Sequence, residues 1–168
     1  MSTQVLVKQG TARVWKAAGG DHAIVLAGLA SLAGRMGEKA DLSDAAGRFA
    51  ARWSLTVELN MDVEPTAGSV IEIYWAPSRD NTSFPGGATG DDGPYKPGEE
   101  DEWKKQLLLV GCLVLTADAD SVVQTQVFEF WPPARYGCPV VLNKSDQALE
   151  GDDDSHRITL VPLVDEVP

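Results

Sequence analysis

Polar and apolar residues alternate most strictly over residues 53–61, where Trp53, Leu55, Val57, Leu59 and Met61 interleave with Ser54, Thr56, Glu58 and Asn60. A period of two with one apolar set predicts a strand wet on one face only. After a turn carrying Pro65 and Gly68, residues 70–75 read Val-Ile-Glu-Ile-Tyr-Trp, which predicts an antiparallel hairpin with the first strand. Residues 107–115 are apolar on both faces, interrupted by Gly111. That is the pattern of a central strand covered on both sides, or of a strand at an interface between copies. A polar turn at 118–121 and the alternation over 122–131 predict a second hairpin. Two further strands are expected over 136–142 and 157–164, with Pro139 near a strand start or on an edge and Pro162 marking an edge.

Residues 76–103 break this rhythm. They hold Pro77, Pro85, Pro94 and Pro97 with Gly86, Gly87, Gly90, Gly93 and Gly98, a density that neither a helix nor a ladder tolerates. A long protruding loop outside the sheet is expected. Before residue 53 the pattern is weaker. Residues 4–16 read as part of an extended N-terminal arm within residues 1–20, or as a first strand with a bulge. Residues 23–33 read as a short helix or packed loop, and residues 41–51 as one helical turn capped by Ser43. Six to eight strands with little helix predict an all-β fold, an antiparallel, jelly-roll-like β-sandwich forming one domain over residues 1–168.

Charge narrows the partners. A net charge of -11 lacks the clustered Lys and Arg that neutralise phosphates, so nucleic acid and anionic membranes are not expected partners. No apolar run reaches the length of a bilayer span, and residues 1–10 lack the basic-then-apolar order of a secretory signal. Cys112 and Cys138 fall in predicted strands and read as small buried apolar residues rather than a disulfide.

Candidate chemistry is sparse. Cys112, Cys138, His22 and His156 are scattered singly, without zinc-ligand spacing, and no nucleophile elbow, phosphate-binding loop or dinucleotide fingerprint follows a strand. The chain therefore reads as no enzyme, with no cofactor and no metal. Asp91 with Asp92, and Asp152 with Asp153 and Asp154, offer oxygen ligands for Ca²⁺ without EF-hand spacing and read as solvated loops. Of five tryptophans, Trp53, Trp75 and Trp131 continue strand alternation and are core candidates. Trp103 and Tyr95 belong to the loop, as a platform for stacking sugars or as anchors on a neighbouring subunit.

Residues 71–80 (Ile-Glu-Ile-Tyr-Trp-Ala-Pro-Ser-Arg-Asp), the Gly-rich continuation 84–95, and residues 136–145 (Tyr-Gly-Cys-Pro-Val-Val-Leu-Asn-Lys-Ser) together resemble small virion structural proteins of tailed bacteriophages. The resemblance is to β-sandwich capsid decoration or cement proteins and covers roughly residue 53 to the end. It implies a non-enzymatic subunit of the capsid surface, made in the host cytoplasm, that binds the major capsid protein and stabilises contacts between its copies. A homo-oligomer, dimer or trimer, fits that role, with Trp103, Tyr95, Phe84 and Trp15 as candidate interface anchors. The alternatives are a tail, fibre or head-fibre component of the virion, and a lectin-like carbohydrate-binding module.

Overall fold

A computed structural model describes residues 6–96, 98–118 and 122–166. The first five residues of the expected arm, Pro97, and most of the turn at 118–121 lie outside the described residues. In chain order the elements are β1 (Leu6–Gln9), β2 (Arg13–Lys16), β3 (His22–Ala23), β4 (Gly34–Met36), β5 (Ala40–Asp41), β6 (Arg52–Leu59), β7 (Val70–Ser78), β8 (Gly93–Pro94), α1 (Glu100–Trp103), β9 (Leu108–Val114), β10 (Gln124–Phe130), β11 (Tyr136–Asn143) and β12 (Arg157–Glu166). The strands form two sheets. One runs β10-β6-β12-β2-β3 with β1 also on β12, and the other runs β8-β4-β11-β7-β9 with β5 also on β11. Every pairing is antiparallel except the short β2/β3 contact.

The alternation in β6 does what it predicts. Trp53, Leu55, Val57 and Leu59 are buried, while Ser54, Thr56 and Glu58 face outward. With Trp15, Ile158 and Leu160 they meet Ile71, Ile73, Trp75, Leu113 and Val141 from the other sheet in one core. On the outer face, Arg157 of β12 clasps Glu58 of β6 through Nε and Nη2 at 2.6 and 2.8 Å.

Both expected hairpins are instead crossings between sheets. β6 pairs with β10 and β12, whereas β7 pairs with β11 and β9. The 60–69 connection is carried over the end of the sandwich by the loop before β12: Asp62 N–H donates to Ala148 O, and Thr66 bonds the Asp146 carboxylate through its N–H and its hydroxyl. β9 and β10 likewise go to different sheets. Residues 107–115 are therefore an edge rather than a central strand, with Leu109 and Val114 exposed. The doubly covered strand is β11, buried from Gly137 to Asn143.

What covers the outer face of β11 is the Gly/Pro-rich segment. It packs against the second sheet instead of standing off it. β8 pairs with β4, the Tyr95 ring is fully buried, and its hydroxyl donates to Gly86 O at 2.6 Å. Phe84, Trp103 and Leu107 complete a second cluster over Met36, Tyr74, Cys138, Val140 and Leu142. Apolar side chains scattered among the glycines give the segment something to bury, so it forms a third layer. Asp92 fixes it: its carboxylate takes Arg35 Nε and Nη2 at 2.8 and 2.5 Å and also the Val25 N–H.

Residues 23–33 take the packed-loop alternative rather than the helix, and the helical turn expected at 41–51 is absent. Residues 24–33 are turns and irregular backbone, and Ser43 pairs with Phe49 across a tight loop. Asp44 holds that loop by accepting the Ala46 and Arg48 N–H groups, a side-chain turn that competes with helix.

Pro139 and Pro162 sit in central strands, not at edges. In an antiparallel strand the N–H and C=O of one residue point to the same neighbour. Pro162 O accepts the Gly10 N–H and Pro139 O accepts the Gly37 N–H. The missing proline hydrogens therefore face gaps, between β1 and β2 in one sheet and between β4 and β5 in the other.

Both cysteines are free thiols, and Cys138 is buried beneath the third layer. Burial pushes its thiol up to about 12, and burial also raises that of the half-buried Cys112. At about pH 8 a thiol reagent should modify Cys112 slowly and Cys138 only on unfolding, because the thiolate is the attacking species. Cys138 reacting in the native protein as fast as in urea would mean that the Gly/Pro-rich layer opens freely.

Candidate functional site

The two long sides of the sandwich are built differently. On one side the outer strands are β3 and β8, two residues each. They are tied down by side chains: Glu38 Oε2 accepts the Ala23 N–H, Trp15 Nε1 donates to Glu38 O, and Asp92 grips Arg35. Short, capped edges of this kind resist further strand pairing.

The other side ends in β9 and β10, seven residues each. Neither carries Pro or Lys, the usual guards of an edge. β9 is partly blunted from within. Gln126 Oε1 accepts the Val114 N–H at 3.4 Å and Gln124 Oε1 accepts the Thr116 N–H at 3.3 Å, so two inward-facing glutamines of β10 occupy donors along the β9 edge. Phe128 completes the seam, seated on Gly111, where an added Cβ would lie 2.3 Å from the ring. β10 has no such cover. Among the described residues it pairs only with β6, and Thr125, Val127 and Glu129 face outward. Val127 is 58% exposed, with Val122 and Val123 before the strand and Trp131 after it also in solvent. Trp131, a core candidate from alternation, follows the outward set of 125, 127 and 129 and is 61% exposed.

The expected anchors are placed elsewhere. Trp15 and Tyr95 have no exposed surface; Trp15 stacks on His22 with centroids 5.0 Å apart. Neither ring can reach another chain without opening the body. Phe84 and Trp103 are half-buried in the third layer. Trp103 donates from Nε1 to Glu99 at 2.7 Å and lies under Lys96 Nζ, 4.8 Å from the ring centre. The outward residues of β10 were missed because Val127 reads as one more member of a half-buried strand.

His156 is buried with both ring nitrogens engaged: Nδ1 accepts the Asn60 N–H at 3.3 Å, and Nε2 lies 2.8 Å from Glu150 O. It fastens two loops. The acidic runs are similarly spoken for, with Asp92 on Arg35, Asp152 capping the Asp154 N–H and Asp154 on Lys16. Among the described residues no three His, Cys, Asp or Glu side chains converge as metal ligands, and no helix is long and apolar enough to cross a membrane. No protein-family model matches the chain, and no curated protein matches it significantly.

Proposed function

We propose that this protein is a structural subunit of a bacteriophage virion, a cement or decoration protein that binds the capsid shell and stabilises contacts between major capsid proteins. The open β10 edge is the observation that carries the reading: a seven-residue edge strand without Pro or Lys, with Val127 exposed on its outer face, suits backbone pairing with another chain. The order of pairing supports it further. Leaving aside β1 and the two-residue strands, the partners nest, β2 with β12, β4 with β11, β6 with β10 and β7 with β9. This favours a jelly-roll connectivity, an architecture common in viral capsid and lectin domains. The lectin-like alternative is weakened because Tyr95 is buried and Trp103 is tied to Glu99.

Self-association through β10 is part of the proposal. A second copy laid antiparallel about Val127 faces Val127 with its own Val127 and sets Glu129 beside Thr125, with no like-charge pair. Val127→Lys should weaken the oligomer by about 30-fold, since facing lysines add on the order of 2 kcal/mol or more. Light scattering across a dilution series reads this, and a monomeric wild type would remove the pairing. For the virion role, mass spectrometry of purified particles should count hundreds of copies, and the pure protein should rebind shells stripped of it. Particles that lack the chain would end the proposal.

A further inference from the structure

Where the β1/β2 connection, the end of β12 and the loop 42–50 meet, the structure forms a half-open cavity of about 640 Å³, the size of a small-molecule site. Its walls include the apolar groups Leu42, Phe49 and Pro162, and Phe49 is 42% exposed. Among the described residues the charged side chains on the wall are Lys8, itself engaged, Arg13, and the paired Arg48 and Asp44.

Arg13 distinguishes this cavity from a surface dent. Its guanidinium is half-buried and held by two backbone carbonyls, Nε to Asp41 O at 3.5 Å and Nη2 to Ser43 O at 3.3 Å. The neighbouring carboxylates are committed to other cations. Asp41 is gripped by Arg135 Nε and Nη2 at 2.8 and 2.5 Å, which with the Ser43 N–H holds its carboxyl far below the usual range. Asp44 is taken by Arg48 Nε and Nη2 at 3.0 and 2.8 Å. Among the described residues Arg13 forms no ion pair, and a guanidinium has five donors, more than its two carbonyls use. The Asp44 turn and the Ser43/Phe49 bridge fix the wall beforehand, which lowers the ordering cost of binding.

We propose that this cavity binds a small apolar carboxylic acid, its carboxylate on the Arg13 guanidinium and its hydrocarbon body against Leu42, Phe49 and Pro162. Planar donors facing a carboxylate in a partly desolvated cleft are the strong form of this contact. None of the outward residues of β10 lines the cavity, and the proposal does not depend on the assembly reading.

Sodium 4-phenylbutyrate is a suitable probe, titrated into the full chain at constant ionic strength and followed by amide chemical shifts. Saturable shifts confined to residues 8–13, 42–53 and 161–164, with an affinity in the millimolar range, are expected for a ligand of this size. The neutral 4-phenylbutyramide should bind about tenfold more weakly, as should Arg13→Gln towards the acid, with Arg13→Lys between them. Equal binding of acid and amide, or no saturable shift up to about 20 mM, overturns the proposal. If Arg13→Gln fails to fold, the comparison of acid with amide on the wild type still decides.

Discussion

Truncating Trp75 to alanine should cost about 3 to 5 kcal/mol of folding free energy, read as a fall in the urea midpoint. The indole is fully buried at the centre of the core, edge-on to Trp15 with centroids 5.8 Å apart and tilted against Phe130 at 5.7 Å. Its other side rests on Gly137 of β11, where an added Cβ would lie 2.3 Å from Nε1. Gly137→Ala should therefore cost about 1 to 3 kcal/mol by overpacking. The double variant distinguishes the cause. With the ring gone the methyl meets nothing, so Trp75→Ala with Gly137→Ala should cost clearly less than the two single changes together. Strict additivity would show that Gly137 is required for some other reason. Trp75→Phe should be milder than truncation, since Trp75 Nε1 has no hydrogen-bond partner and its removal leaves nothing unsatisfied.

Asn143→Leu should destabilise the protein by about 3 kcal/mol, for a polar rather than a packing reason. This side chain is fully buried at the end of β11. Its Nδ2 donates to Leu29 O at 3.0 Å and Gln147 O at 2.8 Å, while Oδ1 accepts the Ser145 N–H at 3.0 Å and the Ser145 hydroxyl at 2.6 Å. One amide thus holds the loops 26–33 and 143–149. Leucine would take one donor from each carbonyl, which keep the Leu149 N–H and the Ser145 hydroxyl, and would leave the buried Ser145 N–H without its acceptor. Asn143→Asp keeps the shape but points a carboxylate at those two carbonyls, which raises its pKa in the folded state. The folded protein then binds the extra proton more readily, so the deficit should shrink as pH falls from about 7 to about 4. Thermal melts of wild type and variant across that range check the sign; a deficit independent of pH would mean that the amide donors are not what the site requires.

The sequence made β6 legible because one of its faces is wet, so period-two alternation and burial coincide. The β7 assignment held because its apolar residues fill two covered faces, although the strand runs on to Ser78. Pairing was not legible. A polar turn between two strands looks the same whether it folds a hairpin or crosses to the opposite sheet, and only the hold of Ala148 and Asp146 on residues 62–66 separates the two outcomes. The run 107–115 misled because hydrophobicity reports affinity for burial, not position in a sheet, and Leu109 and Val114 remain in solvent. Trp131 misled by parity. The cavity at Arg13 was invisible for a simpler reason: what isolates that charge is Asp41 turning to Arg135, 94 residues away in sequence.

The prolines in the two central strands carry a consequence for how mistakes are avoided during folding. Each is harmless only while its bare nitrogen looks into the interruption between two short neighbours. A neighbour docked two residues out of step would offer a carbonyl to a position with no hydrogen to give, losing a bond that correct docking never needed. Pro139 and Pro162 thus act as alignment keys, leaving the native arrangement untouched while penalising its nearest misfolded competitors.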